Sequence, residues 1–303
     1  MADFSDLDPD ENFLNLLPNS NSSYIAEDKL CEFFNFEEKD SFNAIHINCR
    51  SLNKNFKALE NLLIFISEKL TVIAVSETWL TELSEDTFNL TGYSFVSKSR
   101  VNKIGGGVGL YIDCNLEYKL RLDISILNDY IECIFVELQQ KNSSSIICGC
   151  VYRPPNTDLS FFNLEFLTIL GKINGKNPKR TIIAGDFNID LLKSDEHAPT
   201  GEFLNNLTSY SFMPTIFHPT RITANSATLI DNIFLNSIAY QFKTSIVYSD
   251  ISDHLPVAIH INLNISKNTP SAECRKRKYT PEKIESFKRV FTPLIGILCM
   301  PNQ

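Results

Sequence analysis

No apolar run in this 303-residue chain approaches the roughly 20 residues that a helix needs to cross a bilayer. No membrane partner is therefore expected. The N-terminus also lacks the basic start and apolar stretch of a secretory signal. The Asn-x-Ser/Thr triplets, such as Asn89-Leu90-Thr91, are then not expected to carry sugar, and the expected compartment is the nucleus or cytoplasm. None of the eight cysteines forms a Cys-x-x-Cys pair, which argues against a zinc site or a redox motif. Cys148 and Cys150 sit in SIICGCVY on one face of an apolar strand and read as reduced core thiols. The single tryptophan, Trp79, reads as core rather than as a platform for a base. There is no visible internal repeat.

A basic excess is also missing. The net charge is −8, which looks wrong for a protein that handles nucleic acid. Its distribution changes that reading. Residues 1–40 hold 11 acidic and 2 basic side chains, so the remaining chain holds 25 acidic and 26 basic. A near-neutral body permits phosphate contacts without arguing for them.

Residues 1–40 mix acids, Asn and Ser with scattered Phe and Leu, without a sustained period. They read as a mostly disordered acidic leader, with room for a short docking helix. From about residue 41 to 267, short β-type runs alternate with helical stretches. Strands are expected at 44–49, 71–76, 107–112, 131–138, 145–152, 181–186, 228–235 and 255–263, and helices at 55–69, 160–173 and 200–209. Phe56, Leu59, Leu62, Leu63 and Ile66 give the first helix an apolar stripe. Strands apolar at nearly every position are buried on both faces. Two sheets covered by helices satisfy that, so the expected fold is a four-layer α/β sandwich. Residues 268–303 read as a basic tail. The cluster Arg275-Lys276-Arg277-Lys278 suits nuclear import or non-specific DNA contact, and equally a solvated run. A short amphipathic helix is expected to follow Thr280-Pro281.

The chemistry gathers where strands stop. One run ends at Asn48 and Arg50, the next at Glu77, another at Tyr152-Arg153, another at Asp186-x-Asn188; TLI carries Asp231, and the last strand follows Ser252-Asp253-His254. Rigid strands with variable loops are where layered α/β folds build their sites. Each piece alone has an ordinary reading: Glu77 as a helix cap, Asp186 as an Asx-turn, Asp253-His254 as a hairpin turn. Asp231 inside an apolar run demands a partner, a His or an Arg. The Gly105-Gly106-Gly107-x-Gly109 run precedes a strand rather than a helix, so it reads as a loop and not a nucleotide cradle. Together, four carboxylates, two Asn, one Tyr and one His make a hard-oxygen pocket suited to Mg²⁺.

In order, HINCRS, SETW, GGGVGLYI, VYRPPN, IAGDFNID, PTR followed by TLIDNIF, and SDHLPV resemble the endonuclease/exonuclease/phosphatase superfamily over about residues 43–263. Within it, CRSLNKN, VYRPPN, PTRIT and TLIDNIF look like the endonuclease of LINE-type (non-LTR) retrotransposons, of the chicken-repeat and jockey kinds. The resemblance implies a Mg²⁺-dependent phosphodiesterase, with Mn²⁺ as a possible substitute, that nicks one DNA strand and leaves a 3′-hydroxyl. It implies Glu77 as the main metal ligand, with Asn48 and Asp253 holding the ion's waters. It implies Asp186 as base, fixed by Asn188; His254 on the scissile phosphate, oriented by Asp231; and Tyr152 as a donor to phosphoryl oxygens. Arg153 and Arg221 are candidate contacts to the DNA backbone. One departure is visible: apurinic enzymes carry an acid two residues after the first Asn, where this chain has Arg50. That lowers the expectation of abasic-site activity. Other members of the superfamily are phosphomonoesterases or phospholipases, and an inactive fragment binding nucleic acid or a partner is the non-enzyme alternative. No reverse transcriptase region follows, as expected of a truncated element, an isolated domain or a host-captured copy.

A hairpin is the last expectation. Thr220-Arg221-Ile222 and Thr228-Leu229-Ile230 have strand character, and the small polar residues 223–227 suit a tip between them. Paired, the second run carries Asp231 into the pocket and sets the tip beside it. Asn225 and Ser226 are then candidate readers of base edges, with an ordinary solvent-exposed turn as the alternative.

Overall fold

A computed structural model describes residues 22–34, 41–66, 69–81, 87–101, 103–139, 144–175, 179–236 and 241–263. The basic cluster at 275–278 and the amphipathic helix expected after Thr280 lie outside these residues. Fifteen strands run in chain order among them: β1 Ser23–Ala26, β2 Ser41–Asn48, β3 Val72–Ser76, β4 Tyr93–Lys98, β5 Val108–Asp113, β6 Tyr118–Leu120, β7 Glu132–Leu138, β8 Ile146–Tyr152, β9 Arg180–Asp186, β10 Met213–Pro214, β11 Arg221–Ile222, β12 Ala227–Thr228, β13 Asp231–Leu235, β14 Gln241–Tyr248 and β15 Val257–Asn262. Four α-helices accompany them: α1 Leu30–Phe34, α2 Leu52–Ile64, α3 Leu159–Ile173 and α4 Ala198–Ser209.

Two mixed sheets form. One has the order β1-β14-β15-β2-β3-β5-β4, the other β10-β13-β9-β8-β7-β6, and β11-β12 stand apart as a hairpin. Parity along the strands assigns the faces. Ala44, Val72, Ala74, Leu110 and Ile259 of the first sheet share a buried cluster with Cys148, Cys150 and Ala184 of the second. Ile45, Ile47, Ile73 and Val75 point the other way, onto Leu30, Phe34, Leu52, Leu59 and Leu62 of α1 and α2. On the far side of the second sheet, Phe162 and Phe166 of α3 and Phe203 of α4 pack with Phe187 and Phe234. Helix, sheet, sheet, helix is the α/β sandwich that the apolar strands imply.

Local signals place the helices. Ser51 caps α2 by accepting from the Lys54 N–H, and Asp158 caps α3 by accepting from the Ser160 N–H. Pro199 sits in the first turn of α4, where its missing N–H costs nothing. α2 stops at Ile64 rather than 69, because the Phe65 N–H turns back to the Leu62 and Leu63 carbonyls.

Three differences from the sequence reading have physical causes. Residues 23–34, read as part of a disordered leader, belong to the fold: β1 adds in parallel to β14, and Leu30 and Phe34 are fully buried. Four residues of strand and one turn of helix are too short to show a period. β4 and β14 were not expected; their sequences, YSFVSK and QFKTSIVY, mix polar and apolar residues on both parities. The single strand expected at 228–235 is two. The Leu229 and Ile230 carbonyls leave the ladder to accept from Leu191 and Phe187, so pairing breaks between β12 and β13.

β9 and β8 run parallel at the centre of the second sheet. A Cβ on Gly185 would lie 1.9 Å from the Val151 carbonyl oxygen, so only glycine lets these strands meet immediately before Asp186.

Candidate active site

Register alone aligns four polar residues at one end of the second sheet. Glu132 faces Tyr152, Tyr152 faces Asp186, and Asp186 faces Asp231, across β7, β8, β9 and β13. All four are buried. Asn48 ends β2 on the inner face of the first sheet, opposite this row. Its Nδ2 donates to Glu77 Oε1 and to Asp186 Oδ2, at 2.9 Å each, while its Oδ1 accepts the Arg50 N–H at 3.1 Å. The Asn48 amide thus bridges the two carboxylates and spends its oxygen on the backbone.

Asp186 is fixed from its own loop as well. Asn188 donates its backbone N–H to Oδ1 at 3.0 Å and its Nδ2 to Oδ2 at 3.3 Å. His254 reaches the row from the other sheet: Nδ1 is 2.9 Å from Asp231 Oδ2, which also accepts from the Thr220 hydroxyl at 2.8 Å. With Nδ1 committed, Nε2 is the nitrogen left for a substrate. The remaining oxygen, Asp231 Oδ1, is buried without a hydrogen bond, with His46 Nδ1 at 3.8 Å.

The electrostatics follow from two carboxylates in adjacent buried positions. Burial, then the Asp231 charge, push the Asp186 carboxyl up to about 8. Burial pushes Asp231 the same way, but the His254 charge and hydrogen bond outweigh it and hold Asp231 below its ordinary range. Burial pulls His254 down, yet Asp231, Asp186 and Asp253 lift it to about 9. His46 falls to about 4, chiefly through burial, and is neutral. Burial raises the Tyr152 hydroxyl, helped by Glu77 and Asp186, so it stays protonated and able to donate.

Several expected site residues sit elsewhere than anticipated. Both oxygens of Asp253 are taken: Oδ1 by Arg50 at 2.8 Å, Oδ2 by the Arg221 Nε and terminal nitrogen at 2.9 and 2.6 Å. It gathers two guanidinium groups at the rim. Arg153 is buried, donating to the carbonyls of Asn188 and Thr157, so it braces the loop under Asp186 and is not a DNA contact. Arg221 does lie at the rim. Its backbone bridges His254, and β11-β12 pair as Arg221 with Thr228 and Ile222 with Ala227, giving the expected hairpin a tip at 223–226. Asn225 and Ser226 are exposed there, with Ser226 Oγ 2.8 Å from Thr223 Oγ1.

Other contributors escaped the sequence reading. Trp79 is not core: it is 40 % exposed and its Nε1 donates to Glu77 Oε2 at 3.2 Å. Buried Glu132 accepts from Gly107 N–H and Arg100, and the Gly106 and Gly107 carbonyls accept from Trp79 and Thr78. The glycine run is therefore a brace for the Glu77 segment. Left-handed backbone concentrates here, with φ of 42° at Arg50, 90° at Ser51, 50° at Glu77, 54° at Trp79 and 48° at Asn188. Non-glycine residues tolerate this only where surroundings over-determine them, a pattern of functional sites. A spacing signal for Arg50 existed in the departure at that position; Trp79 and Glu132 had none.

The donors suit a hard divalent cation. Glu77 and Asp186 offer carboxylate oxygens, bridged by the Asn48 amide, and burial with the neighbouring Asp231 charge raises the Asp186 carboxyl. Asp186, Asp231 and His254 also place one ligand atom each within 4.8 Å of one another. His254 and Thr220 pair with Asp231, whereas Glu77 and Asp186 accept from the neutral donors of Asn48, Trp79 and Asn188.

Residues 45–254 match the Endonuclease/Exonuclease/phosphatase family. The chain belongs to that family, whose enzymes are divalent-metal-dependent hydrolases acting as phosphodiesterases and nucleases. No curated protein sequence matches it significantly. Among solved structures, an AP endonuclease from Leishmania major, LMAP, is similar with a TM-score of 0.58 at 15 % identity, covering 84 % of this chain and 99 % of its own. The endonuclease domain of TRAS1, a telomere-specific non-LTR retrotransposon, gives 0.57 at 14 %, over 74 % and 99 %. D. rerio TDP2, complexed with a single-strand DNA product, gives 0.56 at 15 %, over 74 % and 100 %. At these identities the likeness is one of fold.

The histidine pair yields a measurable sign. An imidazole raised from about 6.5 when unfolded to about 9 when folded adds stability that is complete below the lower value and lost as pH climbs through the higher. In metal-free protein, NMR of the His254 ring should titrate near pH 9, and Asp231→Asn should move it down, leaving burial to dominate. A midpoint that does not move in the variant contradicts the pairing.

Proposed function

We propose that this protein is a DNA endonuclease that uses Mg²⁺, with Mn²⁺ able to substitute, to nick one strand and leave a 3′-hydroxyl. The single observation that carries this reading is the pairing of a held base with a held imidazole across the two sheets. Asp186, fixed by Asn188 and Asn48, lies on one side; His254, oriented by Asp231, lies on the other. His254 Nδ1 lies 3.9 Å from Asp186 Oδ2, so a phosphodiester set over the two meets both. Asp186 takes the proton of the attacking water. Its raised proton affinity suits it to that work. His254 presents Nε2 to a phosphoryl oxygen, and the Tyr152 hydroxyl donates to another. Glu77, with Asp186, would hold a divalent ion, which would supply charge neutralisation.

The substrate follows from the rim. Arg50 and Arg221, gathered on Asp253, offer guanidinium groups for backbone phosphates. The hairpin tip lies next to them, exposed and polar. LMAP and TRAS1 are named as endonucleases, and TDP2 is described on DNA. The wording of CRSLNKN, VYRPPN, PTRIT and TLIDNIF supports kinship with the LINE-type enzymes.

Supercoiled plasmid with Mg²⁺ should be converted to the open circle, and EDTA should stop it. Asp186→Ala should slow nicking by roughly 100- to 10,000-fold. Undiminished nicking by the pure variant contradicts the mechanism, and phosphate release from inositol phosphates with plasmid left intact would point to a phosphomonoesterase. Exchange of residues 223–227 for a Gly/Ser linker should change which sites are nicked more than the rate, since exposed tips tolerate replacement. Nick positions mapped on a labelled duplex decide this, and an identical pattern rules the tip out as a reader.

A further inference from the structure

The only tryptophan in the chain occupies an unusual place. Trp79 has φ of 54°, and its backbone N–H is held at 2.8 Å by the Gly106 carbonyl. Its ring stands between two adjoining grooves. Glu77, Arg100, Lys103 and Tyr152 line the first with it. Arg50, Lys54, Asn55 and Asp253 line the second with it. Asp129 and Asp250 also reach these grooves, so charge alone does not define them; the shared wall is the indole. Gly105 lies beside the ring, with the site of a Cβ in ordinary contact 3.9 Å from Nε1. The polar edge of the ring is spent inward, on Glu77 Oε2. Asn48 Nδ2 donates to the other oxygen, Glu77 Oε1, so two neutral donors orient Glu77 without cancelling its charge.

We propose that Trp79 is a positioning residue for Glu77 and that its exposed face stacks on a base of the nucleic acid beside the scissile phosphate. This rests on the DNA-cleaving function proposed above. A planar ring flanked by cationic side chains is how proteins hold nucleic-acid strands, with bases on the aromatic and phosphates on the cations. The indole couples the two tasks. A base that seats on the ring also fixes the group that orients the metal-holding carboxylate.

A sole tryptophan makes the claim readable without catalysis. In EDTA, where no cleavage occurs, a short single-stranded oligonucleotide should quench the fluorescence of the full chain. An abasic sugar-phosphate polymer of equal length and charge should not, although anisotropy of a labelled copy shows that it binds. With Mg²⁺, Trp79→Phe keeps a ring and loses the N–H. It should lower kcat about tenfold, raise the Mg²⁺ concentration for half activity, and leave KM within about threefold of the parent. Trp79→Ala should in addition raise KM about tenfold. Equal quenching by the abasic polymer, or the same KM in both variants, defeats the stacking. A Trp79→Phe protein with parental kcat and Mg²⁺ dependence defeats the positioning. Base-dependent quenching in a protein that does not nick DNA would overturn the endonuclease reading while leaving the stacking in place.

Discussion

Two carboxylates, Asp186 and Asp231, face each other across adjacent strands in the interior, and the rest of the site exists to make that tolerable. A buried charge is costly unless paired, and two side by side compound the cost. The chain meets this asymmetrically. His254 and Thr220 serve Asp231, with neutral His46 beyond. Asp186 receives only amide donors, from Asn48 and Asn188, and its carboxyl is driven upward. One carboxylate has the imidazole hydrogen-bonded to it; the other has amide donors, with that imidazole 3.9 Å away. That imbalance separates a site from a structural ion pair.

The scaffold supplies the geometry before any side chain acts. The in-register row from Glu132 to Asp231 is a property of four strands, and its position is secured by the close approach of β8 and β9 at Gly185. The opposite wall comes from β2 and β3, whose ends carry Asn48 and Glu77. Glu77 itself has left-handed backbone, and it is held in that conformation from both sides. Its carbonyl accepts the Ser51 N–H, and the following residues bond to the glycine run. Buried Glu132 anchors that run in turn, which ties the first residue of the row to the carboxylate across the gap.

How much of this was legible depended on whether the signal was local. Apolar strands ending at Asn48, Glu77 and Asp186, and one beginning just after His254, could be read because a strand and its terminal polar group are contiguous. The partner of Asp231 was foreseeable, since a carboxylate in TLIDNIF needs one. The hairpin at 221–228 was readable from its small polar centre. What failed was long-range. Arg50, Arg221 and Asp253 are joined only by the fold, so the two ion pairs on Asp253 could not be read from the sequence. Arg153 beside Tyr152 looked like a phosphate contact, but its side chain turns inward to the Asn188 carbonyl. Trp79 looked like core because a lone tryptophan usually is. β1 is an edge strand of four residues whose partner, β14, lies more than 200 residues away, and nothing local marks it.

Under the proposed function, Glu77 and Asp186 form the cation site. Calorimetric titration of Mn²⁺ into the full chain tests that most directly. One ion should bind. Glu77→Gln should weaken it by at least about tenfold, and Asp253→Asn should leave it within a factor of about three, because its oxygens already belong to Arg50 and Arg221. Binding unchanged in Glu77→Gln and lost in Asp253→Asn would contradict the account.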